Sequence, residues 1–428
     1  MPGGSGKMNN SRTPLRILML GNPSSIHTLR WVSQFKQSDV SIVLFDPLPE
    51  LWSNWHSDIR KSRSSEIAEK IKPAHLFYPE PKSGEKNLQI IVRLIKSFLV
   101  RILKNTQWID NILNSYLRRK WKRTLKRMIL HSDFDLIHSL GLNLNWNNYC
   151  QPIVDLKKQY SFPALWIYSS WGTDLSFYAS LSKANEQEVR DVLTSVDGYI
   201  AESEFDHKNA LAYGFSGKFL GIFPAFGGIN LDYFNKFKGN EPPSQRKKIF
   251  IKGRGSEDPV GRAMHVLDAI EKIHTDLLDY EIIIGQSTPS IRARAEEISK
   301  QYGIRFSILP FLDDPDQILE YIGQSRLYIS ITINDGLPAS LIEAMVLGAF
   351  PIFSNLPSLA EWIESGKNGV LIDLHDVNLL VHVIKRMLKE DHLVDQASIQ
   401  NAQIVRERIN EELIVDQTIK AYQDALSS

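Results

Sequence analysis

Two carboxylates eight residues apart, Asp335 and Glu343, bracket the stretch Asn334-Asp335-Gly336-Leu337-Pro338-Ala339-Ser340-Leu341-Ile342-Glu343. An apolar run, Leu327 to Ile333, precedes it and reads as a strand, so the glycine loop joins a strand to a helix opened by Pro338. Backbone N–H groups at the positive end of a helix suit a diphosphate. Ionised carboxylates only accept hydrogen bonds, which suits the hydroxyls of a hexose and a ribose on either side of that anion. The spacing therefore points to recognition of a sugar nucleotide. A strand, a turn and a proline-led apolar helix also occur in α/β proteins that bind nothing there, and from this segment alone that plainer reading stands beside the first.

A diphosphate needs cations, both to offset its charge and to stabilise it as a leaving group. Arg254 follows the apolar run Lys248 to Lys252 and Gly253, and a guanidinium binds two phosphate oxygens through paired donors. Lys252 is an alternative whose position inside the strand equally suits a structural or solvent-facing role.

Positioning such groups takes a parallel sheet. Ile17 to Leu20, Val40 to Phe45, Leu136 to His138, Leu165 to Tyr168 and Tyr199 to Ala201 read as buried strands with helices between them. Lys248 to Lys252, Glu281 to Ile284, Arg305 to Leu309, Leu327 to Ile331, Phe350 to Phe353 and Gly369 to Ile372 form a second set. Pro242-Pro243 and the charges of 238–248 mark a linker, giving domains at 15–237 and 249–415. Residues 1–14, with no strand before Gly3-Gly4-Ser5-Gly6-Lys7, read as a tail or tag remnant.

The chain has 428 residues, 43% of them hydrophobic, and a formal charge of +1, which suits two α/β domains with full cores. The single Cys150 excludes an intramolecular disulfide framework and fits a reducing, cytoplasmic setting. Eleven histidines without a Cys/His cluster give no metal-site spacing, and Asp313-Asp314-Pro315-Asp316 reads as a cap or turn. No apolar run approaches the length of a membrane span, about 18 residues.

Asp335 to Met345, with Gly348-Ala349-Phe350-Pro351-Ile352 and Glu361, resembles the donor-site signature of family 4 glycosyltransferases. Arg16 to Met19, Ser25 to Trp31, Asp135-Leu136-Ile137-His138, Trp171-Gly172-Thr173-Asp174, Phe250 to Arg254 and Asn368 to Leu371 extend that resemblance over about residues 15 to 425. It implies a GT-B fold: two Rossmann-like, doubly wound domains facing a cleft, with 416–428 crossing back onto the first. It also implies a retaining reaction without a metal cofactor. A nucleoside-diphosphate sugar, UDP or GDP, would be the co-substrate, with the helix end and cations in place of Mg²⁺.

By resemblance Glu343 accepts from ribose hydroxyls, and Asp335 takes the place of a family glutamate near the transferred sugar, one methylene shorter. Gly336, Leu337, Ala339 and Ser340 would line the donor, Arg262 would replace a family lysine, and Phe311 and Leu312 fall where the base would sit. In the first domain, Gly21-Asn22-Pro23-Ser24-Ser25 would face ligand at the sheet's carboxyl edge, with His27 binding acceptor or donor. His138 matches one family histidine, but Leu140 stands where the family often has a second. Asp174 either orients an acceptor hydroxyl or caps a helix.

Residues 86–130 carry twelve Lys and Arg against Asp110 alone, in a chain whose overall formal charge is only +1. Leu88 to Leu103 is apolar with isolated cations, followed by Trp108, Tyr116 and Trp121. That pattern suits a contact with an anionic membrane surface, or buried helices with a solvated basic face; no nucleic-acid motif accompanies it. The expected protein is a cytoplasmic, peripherally membrane-bound glycosyltransferase acting on a glycan or lipid-linked acceptor. A catalytically silent sugar-nucleotide-binding partner and a GT-B epimerase are the alternatives.

Overall fold

The computed structural model describes residues 14–21, 25–35, 38–45, 75–77, 122–144, 147–148, 150–255, 257–309, 315–374 and 376–427. The tail, Asn22 to Ser24, residues 86–121 of the basic segment, Phe311, Leu312, Asp313 and Asp314 lie outside the described residues.

Two sheets carry the fold. The first has the order β3-β2-β1-β4-β7-β8-β9, from β1 (Leu15–Leu20), β2 (Val40–Phe45), β3 (His75–Phe77), β4 (Leu136–Leu140), β7 (Leu165–Ser169), β8 (Gly198–Ala201) and β9 (Lys218–Ile222). A separate antiparallel pair joins β5 (Asn143–Leu144) and β6 (Asn147–Asn148). The second sheet has the order β12-β11-β10-β13-β14-β15, from β10 (Lys248–Lys252), β11 (Glu281–Gly285), β12 (Arg305–Ile308), β13 (Leu327–Ser330), β14 (Phe350–Ser354) and β15 (Val370–Ile372). Every pair in the second sheet is parallel. Strand order reverses beside β1 in one sheet and beside β10 in the other, the doubly wound arrangement whose ligands bind at the carboxyl ends of the strands flanking the reversal. Strand β9, which sequence reading did not include, has exposed first residues and a glycine, Gly221, interrupting its apolar run.

The chain forms two compact units: Met1–Tyr168 with Ser195–Gly198 and Ala425–Ser428, and Ser169–Thr194 with Tyr199–Asp424. In the first, β1 begins where Asp135 accepts a hydrogen bond from Arg16 N at 2.8 Å, and Asp197 joins Lys157 to the backbone of Trp166 at 2.7 and 2.8 Å. In the second, the sheet is buried on both faces, so its strands are apolar almost throughout. Alternation then assigns the faces. Ile249, Ile251, Ile282, Ile284, Leu327 and Ile329 join one core cluster with Val266, Leu267, Ile270, Ile291 and Ile384 from the crossing helices. Phe250, Tyr328 and Phe353 stack as neighbouring rungs of β10, β13 and β14, their ring centroids 5.1 and 5.6 Å apart.

The proline-rich stretch at 238–248 is held throughout its length. Gly239 N donates to Gly323 O at 3.0 Å, Ser244 to Asp395 at 2.8 Å, and the buried Arg246 to the carbonyls of Ser325 and Leu347. The last helix begins earlier than its apolar pattern suggests, at Glu411, and runs to Leu426.

Candidate donor site and a buried carboxyl cluster

The reversal beside β10 brings two segments together. Val260 to Arg262 run back against the chain leaving β13: Arg262 N donates to Ile331 O and Ile333 N to Val260 O, each at 2.9 Å. Within this first segment Asp258 is the organiser. Its Oδ1 accepts from Val260 N and Gly261 N at 2.9 and 2.8 Å, and its Oδ2 takes the Arg254 Nε at 2.6 Å. Burial pushes Asp258 up, but Arg254 and those two N–H groups outweigh it and hold the carboxyl below its ordinary range. Among the described residues only Nε of Arg254 is engaged, so the two terminal nitrogens are left to act as a fork.

The second segment is Asn334 to Pro338. The helix after it is Ala339–Leu347, one residue later than the sequence suggests: Pro338 is its N-cap in extended conformation, and Leu341 N closes the first turn on Pro338 O at 3.0 Å. Every residue of this helix is buried except Ala339, Ser340 and Glu343, which share one face by their three- and four-residue spacing. The first N–H groups of any helix lack an intrahelical acceptor, and here they open beside that face. Asp335 and Glu343 both act electrostatically on Lys252 at the end of β10, where burial lowers the ammonium's pKa and the two carboxylates oppose the shift. Tyr328 lies beneath, its phenol raised by burial, with the Ser340 hydroxyl beside it. Lys252, Arg254, Asp335, Glu343 and the helix start thus form one site. Arg262, at the entry to the helix Ala263–Lys272, donates through Nη1 to the carbonyls of Gly261 and Pro259 at 2.6 and 3.4 Å.

The loop Asn334 to Pro338 also meets Glu202, Ser176 and Ser358, which sequence reading did not single out, and Gly172. Gly172 and Gly336 touch through their backbones: a methyl on Gly336 would stand 2.6 Å from Gly172 Cα and collide with Glu202 Oε2. Glu202 is buried at the end of β8 and accepts from Gly172 N at 2.7 Å and from Ala225 N at 3.3 Å. Asn334 and Ser176 bond through their side chains at 2.7 Å, and Ser358 Oγ donates to Asp335 O at 2.8 Å. Glu361 caps the helix Glu204–Ala212, accepting from Glu204 N and Phe205 N at 3.1 Å. Asp174 is not the N-cap of the following helical turn, a place held by Thr173; its Oδ2 closes its own loop on Trp171 N at 3.0 Å.

Asp174, Glu202 and Asp206 are all buried. Burial, then the charges of Asp206 and Asp335, push the Glu202 carboxyl well above its ordinary range, against the pull of Gly172 N. Burial pushes Asp206 up to about 7, opposed by its bond to Ser203 and reinforced by Asp174 and Glu361. Glu202 was discoverable, since it directly follows an apolar strand, and Ser203-x-x-Asp206 has the spacing of a helix-capping pair.

His27 and His138 belong to the first unit. His27 stands partly buried in the first turn of the helix Ile26–Ser33. His138 lies inside β4, wholly buried, with its ring edge-on to Trp31 at 5.7 Å. Burial lowers its pKa to about 3, so the imidazole is neutral at physiological pH.

Two parallel sheets in this order, each interleaved with helices, define the GT-B fold. The profile of the family described as Glycosyl transferases group 1 matches residues 232–404, the part that holds Lys252, Arg254, Asp335 and Glu343. N-acetyl-alpha-D-glucosaminyl L-malate synthase of Bacillus anthracis is 25% identical over 167 residues, 39% of this chain and 43% of its own length. The match therefore spans less than half of that relative. Among solved structures, a glycosyltransferase from Rickettsia africae superposes with a TM-score of 0.64 at 13% identity, over 97% of this chain and 99% of its own. HepE of Anabaena, solved with UDP and glucose, gives 0.63 at 15% identity over 96% and 100%. TarM of S. aureus, solved with Fondaparinux, alpha-GlcNAc-glycerol and UDP, gives 0.55 at 16% identity over 72% and 58%.

Proposed function

We propose that the protein is a retaining glycosyltransferase that moves a hexose-type sugar from a nucleoside-diphosphate sugar to a hydroxyl of a glycan or lipid-linked saccharide. The observation that carries this reading is the convergence of Lys252, Arg254, Asp335 and Glu343 on the start of the helix Ala339–Leu347, at the strand reversal. The terminal nitrogens of Arg254 and the first N–H groups of the helix receive the diphosphate, with Lys252 as the second cation. Glu343 accepts from the ribose hydroxyls and Asp335 from the sugar. As the bond from the anomeric carbon to the phosphate oxygen breaks, negative charge grows on that leaving oxygen, which these donors would stabilise. The acceptor oxygen bonds to that carbon on the same face, and its proton passes to the departing phosphate. Glycoside and nucleoside diphosphate are the products. The uridine nucleotide in HepE and TarM, and the glycans of TarM, support UDP as the first donor family to test and a glycan as acceptor. Attraction of the basic segment 86–130 to anionic lipid would bring the enzyme to a lipid-linked substrate.

The test is a thermal-shift panel of UDP, GDP and ADP with their common sugars, because a ligand of the folded state raises its melting temperature. One nucleotide family should shift the wild type, and Glu343→Ala and Arg254→Ala should each abolish the shift. A folded wild type that responds to none of them contradicts the donor reading. Binding without any donor hydrolysis or transfer would favour the silent partner instead.

A further inference from the structure

We propose that Glu202 is a positioning residue of the donor loop: its carboxyl holds the Gly172 turn against Gly336, and through that contact fixes Asp335 beside the transferred sugar. The inference rests on the donor reading above and goes beyond it, since Glu202 itself contacts no donor group in that reading.

The geometry is a junction of three chain segments on one side chain. Glu202 Oε2 accepts from Gly172 N at 2.7 Å, Oε1 accepts from Ala225 N at 3.3 Å, and Oε2 lies in contact with Gly336. Each segment is anchored on its far side. The Gly172 turn is closed by Asp174 on Trp171 N at 3.0 Å. The chain after Ala225 is tied at Ile229, whose N and O meet Ile409 O and Glu411 N at 2.8 and 3.1 Å. The donor loop is fixed by Ser358 on Asp335 O and by Ser176 on Asn334. On the side where a side chain would project, Gly336 packs against the backbone of Gly172 and the carboxyl of Glu202. Gly336 N in turn donates to Asp335 Oδ1 at 3.1 Å, so a shift of the glycine moves the aspartate directly. A carboxyl buried this deeply without a cation is costly to place, and its two backbone bonds are what it offers in return. A displacement of order 1 Å at a reacting group costs rate more than affinity, and so the effect belongs to turnover.

The experiment compares wild type, Glu202→Met, Glu202→Gln and Gly172→Ala. Nucleotide release from UDP-glucose, UDP-N-acetylglucosamine, GDP-mannose and ADP-glucose gives kcat and KM, and melting curves give folding. Glu202→Met keeps the bulk and drops the acceptor; kcat should fall about tenfold or more with KM changed less than about threefold. Glu202→Gln retains an acceptor for Gly172 N and should recover most of kcat. Gly172→Ala presses on the same contact from the other side and should show the same split, which keeps the proposal testable if Glu202→Met does not fold. A Met variant with wild-type kcat, a loss confined to KM, or a Gln variant as impaired as Met overturns the role of Glu202. A wild type that releases no nucleotide from any of the four sugars removes the turnover that the Glu202 role requires and overturns it, and if none of the four raises its melting temperature either, the donor reading falls as well.

Discussion

Asp206 receives the Ser203 hydroxyl at 2.9 Å while Ser203 Oγ accepts from Asp206 N at 3.1 Å, a reciprocal cap inside a cluster that includes Glu202 and Asp174. Burial is the largest influence on Asp206 and lifts its pKa from 3.8 to about 7. A carboxyl raised on folding binds its proton more tightly in the folded state, so its contribution to stability is full below the unfolded pKa. That contribution is lost as pH rises through the folded value. The melting temperature should therefore fall as pH climbs from about 4 to about 7, and Asp206→Asn, which stays neutral, should flatten that slope. Glu202 acts with the same sign, so some slope remains. Equal slopes in wild type and Asp206→Asn would exclude a raised Asp206.

Arg326 shows how whole elements are tied together around the donor sheet. It is 1% exposed, at the start of β13, and donates to Met387 O at 2.9 Å, to Asp391 at 2.7 Å and to Ser244 O. One guanidinium thus joins the end of the helix Val377–Met387, the start of the helix Asp391–Ile409 and the turn at Pro243–Gln245. Arg326→Ala would leave the buried Met387 carbonyl without its donor and should cost about 1–3 kcal/mol. Denaturant unfolding measures it, and a loss under about 1 kcal/mol would show that water replaces the side chain. At this scale the sequence was informative where the signal is local. The strands of the second sheet and the Asn334–Glu343 loop and helix are contiguous, and apolar runs with a proline and a glycine mark them. Asp258 and Arg326 were not legible, because their partners lie far along the chain or depend on a turn that composition does not specify, and Glu202 was legible only as a carboxylate following an apolar strand.

For the molecule as a whole, two rounds of strand, helix and strand give the GT-B order; apolar periodicity marked two sets of strands, and the GT-B arrangement itself was implied by the family resemblance. Charge is organised at the same scale. A net charge of +1 conceals the excess in 86–130. Among the described residues of that segment, Lys122 and Lys126 bond to Asp155 and Tyr160 at 3.1 and 2.6 Å, and no described helix is long and apolar enough to cross a membrane. Attraction of the basic residues to anionic lipid would be sensitive to salt. The full chain should sediment with vesicles containing phosphatidylserine and far less with phosphatidylcholine alone, and about 0.5 M salt should weaken the binding severalfold. Equal binding to both kinds of vesicle would rule out attraction to anionic lipid.

The touching backbones of Gly172 and Gly336 also constrain what heredity can do with this protein. A harmful substitution in a packed core is often rescued by a second one that trims the neighbour it strikes. Here the neighbour is another glycine, which has no side chain left to give up. Shortening Glu202 would clear one obstacle to a side chain at Gly336, but Gly172 Cα would still stand 2.6 Å away. No second-site suppressor can arise by making room, and a lineage that loses either glycine can return only by reverting it or by moving the backbone.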